Sequence, residues 1–313
     1  MSLLVSVRGW DPEPWLDRFR RAAPDLQVID GRDAYDPETI RFAAVWKPEP
    51  GALARLPKLE AIFNLGAGVD ALLGDPSLPD VPIARIVDPD LTARMTEWVS
   101  LHVLLHHRRV PALAAAQAAR IWADLDQPAA SALSVGIMGL GELGRDAAEV
   151  LGRLGFRVSG WSRTARHLPG VRCHAGTEGL DAFLAETDVL VVLLPATPET
   201  RGLLSLDLFR KLRRTGHIGG AVLINAGRGA LQIEADIVAA LDEGTLAAAS
   251  LDVFEVEPLP QNSPLWTHPK VIVSPHAAAD SDPDALAAQV IAGIRAIERG
   301  EAPAHLVDRR RGY

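Results

Sequence analysis

The chain has 313 residues, of which 48% are hydrophobic and 23% charged, values typical of a globular protein with roughly two domains. Its net charge of −8 argues against nucleic acid or an anionic membrane surface as the main partner. The only cysteine, Cys173, excludes an internal disulfide and a cysteine metal cluster.

The amino terminus, MSLLVSVRGWDPEPW, has only a short apolar run before Arg8 and Asp11. It therefore predicts a first β-strand rather than a signal peptide. No apolar stretch in the sequence approaches the length that crosses a bilayer. We expect a cytoplasmic protein without a membrane segment.

Strand-like and helix-like patterns alternate along most of the chain, which predicts parallel sheets covered by helices. In the first part, strands are predicted over residues 3–7, 26–30, 43–46, 61–66 and 83–87, with a helix over 14–23. A long helical pattern over residues 89–119 is expected to run from one domain into the next.

The second part continues the alternation in the order expected of a doubly wound nucleotide-binding fold. Its strands are predicted over residues 134–138, 157–161, 188–194, 221–225, 248–254 and 271–275. Helical patterns lie between these strands, for example over residues 143–154 and 234–242, and a last helix over 284–299 leads to the polar tail VDRRRGY.

A glycine motif follows the first strand of the second part and begins a helix. Gly139, Gly141 and Gly144 form GxGxxG, which in this context allows a tight turn, close approach of a pyrophosphate and close helix–strand packing. The N–H groups at the helix N-terminus would then bind the phosphates. The simpler alternative is a tight turn without a ligand.

Enzymes that bind NAD usually carry an acidic residue about 20 positions beyond the glycines, where it binds the ribose. Here that position lies at or near Ser162, in the stretch GWSRTAR. A carboxylate here would repel a 2′-phosphate. This stretch instead offers hydroxyl groups, from Ser162 and Thr164, and positively charged guanidinium groups, from Arg163 and Arg166. NADP(H) is therefore the preferred cofactor and NAD(H) the alternative, in which case the arginines belong to a solvated loop.

Three further stretches, NAGRG, LDVFEVEPLP and SPHAAA, close predicted strands of the second part. Ligands of such folds bind at the carboxyl ends of the strands, so Arg228, Glu257 and His276 are expected to converge. Arg228 would bind a carboxylate and polarise a carbonyl, and His276 would protonate the oxygen that becomes a hydroxyl. Glu257 would orient the imidazole and favour its protonated form.

Each of these three residues also has a purely structural interpretation. Arg228 would cap a helix or pair with a surface acid, Glu257 would be a solvated residue, and His276 would be a hydrogen-bonded core histidine. Their occurrence together at three predicted strand ends favours the catalytic interpretation.

The motifs GLGELG, LLPATPETRGLL, NAGRG, LDVFEVEPLP and SPHAAA, in this order, resemble those of the D-isomer-specific 2-hydroxyacid dehydrogenase family. Further similarities, such as LGAGVD and SPLWTHP, point to a branch that reduces glyoxylate and hydroxypyruvate. The resemblance implies two doubly wound parallel α/β domains, a Rossmann cofactor domain (residues 99–282) inserted into a flavodoxin-like substrate domain (1–98 and 283–313). It also implies that Arg228, Glu257 and His276 are the catalytic residues.

The resemblance extends to binding residues in both domains. The substrate carboxylate is expected on the backbone N–H groups of the LGAGVD segment, an anion-binding nest, beside Arg228 and a wall formed by Trp46. The nest residues are Gly66, Ala67, Gly68 and Val69. Cofactor contacts are expected, beyond the glycines and the GWSRTAR residues, from Glu142, Leu143, Leu194, Pro195, Thr200, Ala226, Gly227, Arg228, Asp252, His276 and Ala278.

The resulting hypothesis is NADPH-dependent reduction of a small 2-oxo acid, with glyoxylate and hydroxypyruvate as leading substrates. The alternatives are an NAD-linked D-2-hydroxyacid dehydrogenase of a larger substrate and a non-enzymatic NAD(P)-sensing binding protein. By family, a homodimer built on the region from Trp98 to Ala130 is expected. No metal is expected, because His102, His106 and His107 lack a convergent carboxylate or cysteine set.

Overall fold

The computed structural model describes residues 1–9 and 11–312. They form two compact units, Met1–Leu91 with Ser281–Tyr313, and Thr92–Asp280. Unit 1 contains a five-stranded sheet and unit 2 a seven-stranded sheet, and all pairings between their strands are parallel. The prediction of two parallel-sheet α/β domains is confirmed.

Unit 1 has the strand order β2-β1-β3-β4-β5, which is the flavodoxin-like order. Its elements are β1 (Ser2–Val7), α1 (Glu13–Ala22), β2 (Gln27–Asp30), β3 (Phe42–Trp46), β4 (Ala61–Asn64), α2 (Asp70–Leu73), β5 (Ile83–Arg85) and α9 (Pro283–Glu298).

The core of unit 1 lies on both faces of its sheet, because side chains alternate along each strand. On one face, Leu3 and Phe63 pack with Phe19 of α1 and Val290 of α9. The opposite face is covered by loops and short helices around Leu53. Registers pair Val7 with Trp46 and Val45 with Asn64, so the carboxyl ends of β1, β3 and β4 are adjacent.

Unit 2 has the strand order β12-β11-β10-β9-β6-β7-β8, which places the reversal of a doubly wound sheet between β6 and β9. Its elements are α3 (Pro89–His107), which begins in unit 1, α4 (Val110–Ala118), β6 (Ser134–Met138), α5 (Glu142–Arg153), β7 (Arg157–Ser162), β8 (Arg172–Ala175), α6 (Gly176–Ala185), β9 (Val189–Val192), α7 (Leu206–Phe209), β10 (Ala221–Asn225), α8 (Glu234–Asp242), β11 (Leu246–Leu251) and β12 (Val271–Val273).

Helices cover both faces of the unit 2 sheet. One core cluster joins Leu190 of β9 to Phe183 of α6. The other joins Val191 to Val103 of α3 and Leu151 of α5. Burial of this sheet on both sides explains why its central strands are continuous apolar runs.

The structure differs from the sequence predictions in several places, two of which have a clear local cause. The pattern over residues 89–119 is not one helix but two, α3 and α4, separated at Arg109, whose φ of 56° is left-handed. Pro111 lies in the first turn of α4, where its missing N–H is harmless but where it stops an earlier helix from continuing. Strand β8 was not predicted, because its sequence RCHA has no apolar run.

Within residues 1–9 and 11–312, no helix combines the length and apolar composition that a membrane span requires.

Candidate active site

The glycine motif forms the turn between β6 and α5. Gly139 has a φ of +103°, which is unfavourable for side chains with a Cβ atom, and its N–H donates to Trp161 O at 2.9 Å. A Cβ atom on Gly144 would lie 1.8 Å from Gly139 O. The third glycine therefore allows the first turn of α5 to pack directly on the turn.

The N-terminus of α5 fits a phosphate group. Gly141 is its N-cap, no side chain caps it, and a Cβ atom on Gly141 would meet nothing within 4 Å. Glu142 and Leu143 follow in the first turn, and the Glu142 carboxylate is drawn to Arg145 at 2.6 Å. The uncapped N–H groups and the open space beside Gly141 are what a pyrophosphate requires.

The second strand of this fold, β7, ends in the basic segment predicted to select the cofactor. Arg163, Thr164 and Arg166 are all exposed, whereas Ser162 is half-buried. The Ser162 hydroxyl donates to Thr164 O at 2.8 Å, so its proton stabilises the loop. The two guanidinium groups thus supply the positive charge at this strand end.

The loop after β9 lies close to this basic segment. The pKa of Glu199 is lowered, chiefly because the Thr197 side chain hydrogen-bonds to it and secondarily by other groups that include the charged Arg163. The Thr200 hydroxyl accepts from Thr197 N at 2.8 Å and donates to Pro195 O at 2.8 Å. Thr200 therefore fixes the shape of a loop predicted to line the dinucleotide.

Arg228 lies in the loop that follows β10. The Asn225 side chain accepts from Gly227 N–H at 3.0 Å, and a Cβ atom on Gly227 would lie 2.8 Å from Leu194 O. Arg228 itself is half-buried, and its Nη1 donates to Gly227 O at 2.7 Å. Ala226 and Leu194 are each 7% exposed, so this loop and the β9 loop are packed together.

Buried amides connect the Arg228 loop to the end of β11. Asn225 Nδ2 donates to Gln232 Oε1 at 2.8 Å, and Gln232 Nε2 donates to Val253 O at 2.9 Å. Gly229 approaches Phe254 so closely that a Cβ atom on it would lie 1.8 Å from Phe254 O. The segment with Arg228 and the segment that leads to Glu257 are therefore in direct contact.

His276 and Glu257 form the predicted pair. His276 Nδ1 lies 2.8 Å from Glu257 Oε2, with the two side chains 44% and 30% exposed. Glu257 Oε1 accepts from Phe254 N–H at 3.1 Å. Among the described residues, His276 Nε2 has no hydrogen-bond partner. The carboxylate places the proton on Nδ1, which leaves Nε2 for exchange with a ligand.

Asp252 holds the backbone that carries His276. Its carboxylate, 1% exposed, accepts from Ser274 Oγ at 2.6 Å, Ala277 N at 2.9 Å and Ala278 N at 3.0 Å. His276 N–H donates to Asp252 O at 2.8 Å. A buried carboxylate requires hydrogen-bond donors, and the His276 loop supplies them.

In unit 1, Trp46 packs on the glycine loop after β4. A Cβ atom on Gly66 would lie 2.1 Å from Trp46 Cζ3, so only glycine allows this contact. Lys47 Nζ lies 5.4 Å from the centre of the Trp46 ring, a cation–π contact. Trp46, Ala67 and Gly68 are half-buried, and Val69 is buried. The predicted substrate residues of unit 1 are thus neighbours.

Sequence reasoning missed four residues that organise these loops. All four lie at a strand end or in a loop. The side-chain amides of Asn64, Asn225 and Gln232 hydrogen-bond to backbone carbonyls or to another buried amide, and Thr197 donates its backbone N–H to the Thr200 hydroxyl. The signal in the sequence that could have identified them is a polar residue next to a predicted loop. Their partners are set by the tertiary fold, which periodicity does not report.

The chain is similar to known oxidoreductases over its whole length. Residues 100–278 match the sequence profile of the D-isomer specific 2-hydroxyacid dehydrogenase, NAD binding domain. The chain is 38% identical, over 319 residues and 100% of both proteins, to glyoxylate/hydroxypyruvate reductase A of Yersinia enterocolitica.

Two solved structures are similar in fold and sequence. The NADPH-dependent glyoxylate/hydroxypyruvate reductase of Sinorhizobium meliloti, crystallised with NADP and sulfate, has a TM-score of 0.94 at 47% identity, covering 100% of this chain and 99% of that one. A D-isomer specific 2-hydroxyacid dehydrogenase of Xanthobacter autotrophicus, crystallised with NADPH and MES, has a TM-score of 0.93 at 44% identity, covering 99% of each.

The profile match covers more than half of the chain, and the relatives match from end to end. The resemblance inferred from the motifs is therefore confirmed. The chain belongs to the D-isomer-specific 2-hydroxyacid dehydrogenase family.

Proposed function

We propose that this protein uses NADPH to reduce glyoxylate to glycolate and hydroxypyruvate to D-glycerate. The observation that carries the proposal is the His276–Glu257 pair at 2.8 Å, fixed beside the Arg228 loop by the close approach of Gly229 to Phe254. A general acid requires an imidazole that is oriented by a hydrogen bond at one ring nitrogen and can donate a proton from the other. The Glu257 carboxylate orients His276 at Nδ1.

In this proposal unit 2 is the dinucleotide-binding domain. The uncapped N-terminus of α5 binds the pyrophosphate, and Arg163 and Arg166 bind the 2′-phosphate that distinguishes NADPH from NADH. When bound, the reduced nicotinamide supplies the hydride. Asp252 keeps the loop of Ala277 and Ala278 in place through hydrogen bonds of 2.9 and 3.0 Å.

The backbone N–H groups of Gly66–Val69 in unit 1 bind the substrate carboxylate. The role of Arg228 in unit 2 is to polarise the substrate carbonyl as negative charge develops on its oxygen. Trp46 limits the size of the side chain that follows the carbonyl, because its ring lies directly against Gly66. Small 2-oxo acids are therefore preferred.

His276 Nε2 gives its proton to the carbonyl oxygen as that oxygen becomes a hydroxyl. Glu257 accepts the hydrogen bond from Nδ1 throughout and keeps the imidazole ring oriented. After transfer, the neutral imidazole keeps its remaining proton on Nδ1, where it stays hydrogen-bonded to the Glu257 carboxylate, and solvent restores the proton on Nε2.

We further propose that the protein is a cytoplasmic homodimer that associates through α4 and the residues after it. None of the α4 residues is buried, although the segment is apolar. Leu113, Ile121 and Trp122 are 38%, 62% and 99% exposed. An apolar segment of this kind is typical of a subunit interface.

The test is to mix purified protein with NADPH and either glyoxylate or hydroxypyruvate, follow NADPH absorbance, and identify the product by chiral chromatography. The proposal expects glycolate from the first and D-glycerate from the second, with slower turnover when NADH replaces NADPH. Turnover only of larger 2-oxo acids with NADH would contradict it, as would dinucleotide binding without turnover of any 2-oxo acid.

A further inference from the structure

We infer that Asn64 is a positioning residue that directs backbone N–H groups of the Gly66–Val69 loop towards the substrate carboxylate. The inference rests on the proposed function, because it concerns how that carboxylate is bound. Asn64 is the last residue of β4 and is 2% exposed. A buried amide at this depth requires hydrogen-bond partners.

The partners of Asn64 are carbonyl groups of the loop that follows it. Asn64 Nδ2 donates to Gly66 O at 2.8 Å and to Gly68 O at 3.0 Å. The Asn64 side-chain amide thus donates both of its hydrogens to carbonyl groups of the same loop, two residues apart. These two bonds fix the conformation of the loop.

Peptide geometry converts this contact into an orientation of N–H groups. In a trans peptide the carbonyl of one residue and the N–H of the next point in opposite directions. Carbonyls of Gly66 and Gly68 that face Asn64 therefore turn the N–H groups of Ala67 and Val69 away from it. In the described structure, neither of these N–H groups donates a hydrogen bond. The N–H groups of Ala67 and Val69 are therefore available to donate to a bound anion.

A second contact restrains the loop from another side. Gly66 lies against the Trp46 ring, with space for no Cβ atom. Asn64 is anchored at the strand end by the register that pairs it with Val45 of β3. The loop is therefore fixed before the ligand arrives, which reduces the entropic cost of binding.

The experiment compares Asn64→Leu, which removes both donors at similar volume, with Asn64→Asp, which keeps the shape and adds negative charge. Asp30→Asn is the matched control. Asp30 ends the edge strand β2, is 6% exposed and holds its own loop by accepting from Arg32 N–H at 2.9 Å. The readouts are kcat and KM for glyoxylate, the dissociation constants of NADPH and of the unreactive carboxylate oxamate, and Tm.

We expect KM for glyoxylate and the oxamate dissociation constant to rise about tenfold in Asn64→Leu and further in Asn64→Asp, as lost ground-state binding predicts. NADPH affinity should be unchanged and kcat should stay within about twofold, since the interaction is made equally before and during the reaction. Asp30→Asn should lower Tm without changing KM. If Asn64→Leu does not fold, the isosteric Asn64→Asp tests the inference through the same two quantities, KM for glyoxylate and the oxamate dissociation constant.

An unchanged KM and oxamate affinity in the Asn64 variants would overturn the inference, while wild-type turnover would leave the proposed function intact. Parallel losses of kcat, NADPH affinity and Tm would also overturn it, because they indicate a general structural role. Absence of glyoxylate turnover in the wild type would instead contradict the proposed function.

Discussion

The backbone of His276 is unusual for a residue with a large side chain. Its φ of 54° lies in the left-handed region, which costs free energy for a residue other than glycine. The Asp252 carbonyl and carboxylate hold this conformation through hydrogen bonds to the N–H groups of residues 276, 277 and 278. The structure thus maintains a strained residue where the proposed chemistry requires an oriented imidazole.

Removal of positive charge at the end of β7 should change the cofactor preference. In the double variant Arg163→Ala with Arg166→Ala, kcat/KM for NADPH should fall about 100-fold, because charge-assisted hydrogen bonds to a phosphate are lost. The value for NADH should change by less than about threefold, since NADH carries no 2′-phosphate. Steady-state kinetics with each cofactor measure these two changes as the ratio of kcat/KM in the variant to kcat/KM in the wild type.

Arg172→Ala is the control for that experiment. Arg172 begins β8 in the same sheet and is a 73% exposed surface arginine paired with Glu186. Its loss should leave both ratios unchanged. An equal fall for NADPH and NADH in the double variant would show that Arg163 and Arg166 do not read the 2′-phosphate.

At the scale of single elements, the junction of β6 and α5 depends on the absence of one Cβ atom. Gly144→Ala places that atom 1.8 Å from Gly139 O, so α5 must shift away from the turn. NADPH affinity should fall at least tenfold, because helix N–H groups lose their alignment with the phosphates. Fluorescence titration with NADPH measures the change.

Gly152→Ala provides the matched control in the same helix. A Cβ atom at position 152 meets nothing within 4 Å, so helix propensity alone should raise stability by up to about 1 kcal/mol. Its NADPH affinity should equal that of the wild type. If Gly144→Ala also retained full affinity, the close packing at the turn would not matter for binding.

The attachment of α3 to β11 predicts a pH dependence of stability. His102 Nδ1 and His106 Nε2 lie 2.9 and 2.8 Å from Ser250 Oγ. Burial lowers the pKa of His106 from 6.5 to about 4, and the proximity of His102 adds to the effect. The folded protein therefore binds fewer protons than the unfolded chain in this interval, and stability falls as the pH drops from about 6.5 towards 4.

Urea unfolding at two pH values tests this attachment. Between about pH 7 and pH 5 the free energy of unfolding of the wild type should fall by about 2 kcal/mol more than that of His106→Gln, which has no titrating imidazole at this position. Identical pH dependences for the two proteins would show that His106 is not held neutral in the fold.

Much of this architecture was predictable from sequence, and the exceptions have physical causes. The central strand β10 is apolar up to its last residue, Asn225, and its limits were predicted residue for residue as 221–225. Strand β8 lies at the sheet edge and carries Arg172 and His174, so neither alternation nor an apolar run marks it. The break at Arg109 lies beside Pro111, a sequence signal for a helix end that the prediction from helical periodicity did not take into account.

The candidate site divides in the same way. Arg228, Glu257 and His276 were predicted because their chemistry is recognisable at strand ends, and the structure pairs His276 with Glu257. The buried amides Asn225 and Gln232, which support the Arg228 loop, were missed because their hydrogen bonds join residues from β10, the following loop and the end of β11.

At the scale of the whole molecule, the exposed apolar segment after α4 predicts self-association. Trp122→Ser should shift the protein from dimer to monomer in sedimentation equilibrium, because large aromatic residues contribute most to such interfaces. Leu154→Ser, a change at a 44% exposed residue of unit 2, serves as the control and should remain dimeric. A wild-type protein that sediments as a monomer would contradict the proposed dimer.

The central claim is that His276 transfers a proton during reduction of a small 2-oxo acid. Its most direct test is kcat for His276→Gln with saturating glyoxylate and NADPH, alongside NADPH binding. We predict that kcat falls about 1,000-fold while NADPH affinity stays the same, since glutamine occupies a similar position without acting as a general acid. A kcat within about tenfold of the wild type would contradict this assignment.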